Sequence, residues 1–466
     1  MSQFVAESEF KAPLQALFSY HARPGALDRL LPPWQKVAIA RRGSSIDVGT
    51  EVVLALGTPF GFPIHWHAKH TKLEPPFLFE DIQTKGPMKS WTHQHRFEAI
   101  GNEGSRLIDS IDYRLPLGSL GSFLGSRYFK NELVRMFRYR HQTTRGDVEL
   151  FQKFPVRSLR IGVSGANGFV GSNLVALLSV AGHQVIKLTR NKVATSPTGI
   201  RPQGPEHLAW SPRDGLTHPK DAEGLDAVIH LAGKGIGDHR WSQEVKREIR
   251  DSRVLATEVL AKQLSQLDAP PKVFIACSAI GYYGNRGDEA LDEQSSKGEG
   301  FLADVCEDWE KATKSLSQSG TTRVAHTRLG IVLAPRQGAL AKLLGPIAFG
   351  LGGKMGSGEQ YWSWISITDC ISAIYHLLMD ERATGPFNLV SPAPARNKDF
   401  IQTIAQILHR PAFLPAPQFA LEFLLGEMAK PLLFDSCRAY PGKLEQLGYS
   451  FRHPSLESAV RYLLGL

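Results

Sequence analysis

Cysteine is scarce in this chain: Cys277, Cys306, Cys370 and Cys437 are its four in 466 residues, and successive ones lie 29, 64 and 67 positions apart. No pair stands at the short spacing of a zinc clamp or a redox dithiol, so neither a thiolate metal site nor a disulfide framework organises the fold, and a reducing compartment is expected. Long apolar runs are missing as well. No stretch of about 18 uncharged apolar residues occurs, and Glu7 and Glu9 stand where a signal peptide would need a basic start and an apolar core. Together these absences predict a cytoplasmic protein without a transmembrane segment. The sequence also has no internal repeat and no low-complexity tract. Charge of one sign is only mildly in excess, 54 Lys+Arg against 45 Asp+Glu for a net +9, and 42% of residues are hydrophobic. That composition excludes disorder and fibrous architecture, and the length predicts two or three domains.

Residues 1–155 are rich in aromatics and hold seven of the 16 histidines: His21, His65, His67, His70, His93, His95 and His141. Short strand-like runs at Glu51 to Leu56, Ile64 to Leu73, Phe77 to Gln83, Trp91 to Ile100 and Arg106 to Tyr113 are separated by Gly, Pro and Asn-Glu-Gly breaks at hairpin distances. A helix is expected over Gly125 to Arg145. One early helical stretch, a run of strands and a long final helix suggest an α+β plan in which a curved sheet wraps that helix. From residue 156 to 466 strands alternate with helices, which implies crossover connections and a doubly wound, Rossmann-like parallel sheet. Its strands are expected at Leu159 to Ser164, Gln184 to Thr189, Asp226 to Leu231 and Lys272 to Ser278, with helices at Phe169 to Ala181, Trp241 to Leu264 and Phe301 to Gln318.

The sharpest local pattern is Gly165-Ala166-Asn167-Gly168-Phe169-Val170-Gly171, between a strand and an amphipathic helix. The first glycine permits the tight turn, the second lets main-chain amides approach a pyrophosphate, and the third lets helix and strand pack closely. Gly165, Asn167, Gly168, Phe169, Val170 and Gly171 are therefore candidate dinucleotide contacts. A NAD-preferring site would carry an acid at the end of the next strand, but this chain reads Lys187-Leu188-Thr189-Arg190. A carboxylate there would repel a 2′-phosphate, whereas Arg190 pairs with one in bidentate fashion, so NADP is favoured over NAD.

Further segments carry a resemblance. They are Asp226 to Gly233, Arg240-Trp241 with Ser252-Arg253-Val254, Cys277 to Gly284, Asp308-Trp309-Glu310, Arg328-Leu329-Gly330, Gly352 to Gly358, Trp364 to Ile367 and Gly385 to Asn388. With the glycine loop they resemble the extended, atypical short-chain dehydrogenase/reductases, and among them the epimerase-like YfcH-type subfamily. That resemblance implies an NADP-binding domain whose cofactor wall includes Leu231, Ala232 and Gly233, a substrate-side segment over about 395–466, and a loop after about Leu340 closing over a small-molecule substrate. Residues 1–155 are similar, through Arg23 to Ala26, Pro32-Pro33-Trp34 and Gly86-Pro87-Met88, to the START-like, polyketide-cyclase-like helix-grip fold, which implies a cavity for an apolar ligand.

Short-chain dehydrogenases use a Tyr-x-x-x-Lys pair in which lysine lowers the tyrosine pKa for proton exchange. None of the 11 tyrosines has a lysine four places on, and the family pattern puts the pair near Leu302 and Cys306. Ser278 matches the family serine and is expected to donate a hydrogen bond to a substrate oxygen; Tyr283, or Tyr282, is the substitute acid. Asp304, Asp308 and Glu310 are competing carboxylates, and Arg253 replaces the usual asparagine. The leading expectation is thus an NADP(H)-dependent oxidoreductase or epimerase-like enzyme fused to an apolar-ligand module. The alternatives are a non-catalytic NADP(H) sensor and a first domain that is itself a cyclase or dehydratase. His65-Trp66-His67 and His93-Gln94-His95 put paired imidazoles on strand faces, but with no acid in the set they read as cavity-lining or surface residues and no metal is expected. The basic stripe from Arg127 to Arg145 reads as the solvated face of a helix, with no nucleic-acid partner.

Overall fold

Alternating inward apolar residues build the first third of the chain. A computed structural model describes residues 2–43, 45–58, 61–116, 118–155, 157–190 and 206–466, and the chain divides into two compact units, formed chiefly by residues 1–156 and 157–463. In the first unit β1 (Ser2–Phe10) precedes α1 (Leu14–Ala22) and α2 (Ala26–Leu30). There follow β2 (Val37–Arg41), β3 (Glu51–Leu56), β4 (Ile64–Glu74), β5 (Leu78–Lys85), β6 (Ser90–Ile100), β7 (Gly104–Arg114) and the long α3 (Gly118–Phe151). The seven strands form one sheet in the order β1-β7-β6-β5-β4-β3-β2. Every neighbouring pair is antiparallel.

The inner face carries Phe4, Phe10, Phe79, Trp91, Phe97, Leu107 and Ile111, all buried. Against it α3 turns Leu133, Phe137 and His141, at helical spacing, and Phe137 stacks 5.4 Å from Phe4. Truncating Phe137 would cost about 3–5 kcal/mol. Arg127, Lys130 and Arg138 of the basic stripe face solvent, whereas Arg140 packs over the Phe137 ring. The early helical stretch is present as α1, but β1 was not expected: its apolar signal is only Phe4, Ala6 and Phe10, and its partner β7 lies about a hundred residues away.

The second unit begins with β8 (Arg160–Ser164), α4 (Phe169–Ala181) and β9 (Gln184–Thr189), followed by β10 (Glu206–Ser211), β11 (Gly215–Leu216) and β12 (Ala227–His230). Next come α5 (Gln243–Asp251), α6 (Val254–Ser265), β13 (Val273–Ala279) and α7 (Phe301–Lys311), then strands Arg323–Leu329 and Gly385–Leu389. The eight-stranded sheet runs β11-β10-β9-β8-β12-β13 and on through those two strands. All pairs are parallel except β10 with β11. This is a Rossmann-like sheet. Ile186, Leu188, Val228, Leu260, Leu264 and Phe274 fill one core layer. The helix expected over Trp241 to Leu264 is broken at Ser252-Arg253, where the two segments meet, and the one over Phe301 to Gln318 is interrupted after Lys311 and resumes as a short helix at Lys314–Ser317. No helix among the described residues is long and apolar enough to cross a membrane.

Candidate functional site

The chain leaves β8 toward β9 on one side and returns to β12 on the other, so a crevice opens at the carboxyl ends of β8 and β12. Gly165 begins the turn out of β8 with φ +68°, and a side chain there would lie 2.8–2.9 Å from the backbone of Leu231 and Ala232. At Gly171 a Cβ would stand 2.1 Å from the Gly165 carbonyl. Only glycine fits at either position. Gly168 N–H donates to Gly165 O at 2.9 Å, closing the turn. The amides of Phe169 and Val170 then enter α4 without a backbone acceptor among the described residues, as the first turn of a helix requires. Asn167 and Gly168 are exposed, and the Phe169 ring lies beneath Gly338, where a Cβ would meet it at 3.1 Å.

Ser164 ties this loop to the opposite wall. Its Oγ accepts from the amides of Leu231 (3.2 Å) and Ala232 (3.3 Å) and meets His230 Nδ1 at 2.6 Å. Burial pushes the His230 imidazole down to about 4. Gly233 is exposed next to Arg253, which donates to the carbonyls of Ile249 (3.0 Å) and Lys234 (2.8 Å) and so clamps the loop after β12. Arg190 is exposed just past the end of β9, whose Leu188 is in register with Ser164. That register sets Arg190 two residues beyond the glycine turn's own strand end.

Where the family pair would stand, Leu302 and Cys306 pack under the turn Ile280–Tyr283: a Cβ on Gly281 would lie 3.3 Å from Leu302 Cβ and 3.7 Å from Cys306 Sγ. Burial pushes the Cys306 thiol up to about 12. Ser278 and Tyr283 are brought into one network, but not as expected. Ser278 is 1% exposed and donates its proton to Glu310 Oε1 at 2.8 Å. With that proton given to Glu310, the Ser278 hydroxyl has lone pairs but no hydrogen left to offer, in place of the donor expected from sequence. Glu310 also takes a bidentate pair from Arg328, Nε at 2.8 Å and Nη2 at 2.9 Å. Although burial works against its charge, this pairing holds the Arg328 guanidinium above its ordinary value.

Tyr283 requires a correction. It is wholly buried; its hydroxyl accepts from Arg328 Nη1 at 3.0 Å and has two acceptors for its single hydrogen, Asn388 Oδ1 and the Asp292 carbonyl, each at 2.8 Å. Burial raises its pKa. A phenol so enclosed braces Arg328, and its single hydrogen is already claimed by two acceptors. Tyr282 is half-buried, with Arg328 stacked 3.6 Å over its ring. Asp304 and Asp308 hold surface ion pairs with Lys297 and Arg250. Trp241 donates to the Ile236 carbonyl and packs edge-on against Phe301, and Arg240 donates to the Phe423 carbonyl. The glycine-rich segment is stitched to the C-terminal region: Leu414 N–H donates to Gly352 O, Ala416 N–H to Lys354 O and Gly356 N–H to Ala416 O. Sequence reasoning missed the Glu310–Arg328 pair, although both residues stood in its motifs, because nothing local links positions 18 apart on a helix and a strand.

Residues 161–390 match the NAD dependent epimerase/dehydratase family, and 416–463 match a domain of unknown function, DUF1731. An epimerase family protein of Mycobacterium bovis is 38% identical over 302 residues, 65% of this chain and 96% of that protein. The chain belongs to the NAD-dependent epimerase/dehydratase family. Among solved structures, a nucleoside-diphosphate sugar epimerase from Corynebacterium glutamicum aligns with 99% of this epimerase-family chain and 90% of that chain at 30% identity, with a TM-score of 0.79. The human epimerase family protein SDR39U1 with NADPH aligns with 66% of this chain and 99% of its own, at 30% identity and a TM-score of 0.59.

Proposed function

We propose that this epimerase-family chain binds NADP(H) in the β8–β12 crevice and uses it in an oxidoreductase or epimerase-like reaction at a hydroxyl-bearing carbon of a small molecule. The observation that carries this reading is the glycine cradle, where Gly165 and Gly171 leave no room for a side chain and the first amides of α4 have no backbone acceptor among the described residues. Those amides would hold the pyrophosphate, Arg190 the 2′-phosphate, and Leu231 to Gly233 the opposite wall. When bound, the nicotinamide supplies hydride transfer. Ser278, its proton drawn to Glu310, would accept the substrate hydroxyl's hydrogen bond, and Arg328 would hold Glu310 in place for that role. We take residues 156–466 as the NADP-binding domain, with the substrate-side segment over about 395–466, and residues 1–155 as a START-like module for an apolar ligand.

Titration calorimetry with NADPH and NADH tests the binding: NADPH is expected to bind more tightly, and Arg190→Asp to reverse that preference. An unchanged ratio would give the selectivity to another residue, and no heat from either nucleotide would end the proposal. A second reading is a non-catalytic NADP(H) sensor, favoured by one observation: Leu302 and Cys306 fill the acid–base positions and Tyr283 is sealed. Turnover separates them. Cofactor oxidation across a carbonyl panel, lost in Ser278→Ala with NADPH affinity kept, supports the enzyme; tight binding without turnover supports the sensor.

A further inference from the structure

The inner face of the first sheet should be wholly apolar, yet its centre is ionisable. Cross-strand register aligns His70 of β4, Asp81 of β5 and His93 of β6 in one row, and Phe79, His95 and Asp109 in the next. His65 and His67 point to the other face of β4, since alternate residues of a strand face opposite ways, and β5 separates β4 from β6. The paired histidines of the sequence therefore do not meet. The acid that the set lacked is Asp81, supplied by the strand between them.

Donor atoms of Asp81, His93 and His95 all lie within 4.8 Å of one another. His93 donates from Nε2 to Asp109 Oδ1 at 3.0 Å, so when neutral it keeps a bare lone pair on Nδ1. That lone pair faces Asp81 Oδ1 at 3.6 Å, two acceptors opposed with no hydrogen to share. Metal–ligand bonds of about 2.0–2.1 Å set neighbouring donors about 3.3 Å apart around a tetrahedral ion, close to this gap. A carboxylate holding the far nitrogen of a histidine is the usual support of a metal-bound imidazole. Asp109 supplies it for His93, accepts from His141 Nε2 at 2.7 Å, and lies 2.6 Å from His95 Nδ1. His141 Nδ1 in turn meets Ser8 Oγ at 2.9 Å.

We infer that Asp81, His93 and His95 form a binding site for a divalent first-row metal ion, zinc or ferrous iron in class, inside the N-terminal unit. Two imidazoles and one carboxylate are the donor set that such ions take with positions left open. Two carboxylates, Asp81 and Asp109, stand here, and the buried Arg140 guanidinium interacts electrostatically with both.

The test uses tag-free, full-length protein stripped with a chelator and titrated with cobalt(II), then zinc, following visible ligand-field bands and heat. About one equivalent per chain should bind with tetrahedral or five-coordinate bands, and zinc should displace it. Asp81→Asn should remove that equivalent, Asp109→Asn should weaken it by about 10–100-fold, and a His65→Ala, His67→Ala double variant should leave it intact. Folded wild-type protein that takes up no cobalt, with His93 doubly protonated by nitrogen NMR, would make Asp81–His93 an ion pair and overturn the site. So would unchanged uptake by Asp81→Asn.

Discussion

Two buried polar centres, one in each unit, solve the same electrostatic problem differently. In the second unit Glu310 is matched donor for lone pair: Ser278 and the two forks of Arg328 occupy it, and the remaining Arg328 nitrogen is spent on Tyr283. In the first unit Asp109 is matched in the same way by imidazoles, but Asp81 Oδ1 stands 3.6 Å from His93 Nδ1, beyond a hydrogen bond. A carboxylate so matched fixes the orientation of Ser278 and Tyr283 around it, and one left a cation short is built to receive something. Burying a charge costs several kcal/mol unless it is paired, so an unmatched carboxylate facing a core is expected only where it is used.

The comparison breaks most readily at Glu310. Glu310→Ala leaves Arg328, 3% exposed, as an uncompensated buried cation, and calorimetric unfolding should lose about 3–5 kcal/mol; a loss under about 1 kcal/mol would mean that the centre is not closed. Next is pH. His230 titrates at about 4 when folded and near 6.5 when unfolded, so between these values the unfolded chain binds more protons and stability rises with pH. Lowering pH from 7 to 5 should therefore cost about 2 kcal/mol through this group, and His230→Gln should flatten that part of the profile. Tyr283→Phe strips one partner from Arg328 and should cost about 1–2 kcal/mol, with turnover per folded molecule unchanged; a collapse of turnover alone would restore Tyr283 as the acid. The smallest effect belongs to Asp308→Ala, which removes an exposed pair with Arg250 and should change stability by under about 1 kcal/mol.

The strands around each centre were legible because burial writes a period into the chain. Gln184–Thr189 and Phe169–Ala181 have the bounds expected from sequence, and all five expected strands of the first sheet shift by no more than two residues at either end. What periodicity could not report was partnership. Asp81 carries no motif of its own in the sequence, and only its register with His93 gives it chemistry. Ser278 was recognised by position, but the direction of its hydrogen bond depends on Glu310, 32 residues on.

The chain alone determined the glycine turn, the alternation of strand and helix, and the absence of a Tyr-x-x-x-Lys pair, because each is a property of neighbours along the backbone: a steric limit on φ, a repeat of side-chain direction, a fixed spacing. Tertiary structure decided which ionisable groups face each other, which hydroxyl keeps its proton, and which phenol is sealed. Those outcomes follow from cross-strand register and packing between residues tens of positions apart, where a shift of one residue sends a side chain to the opposite face.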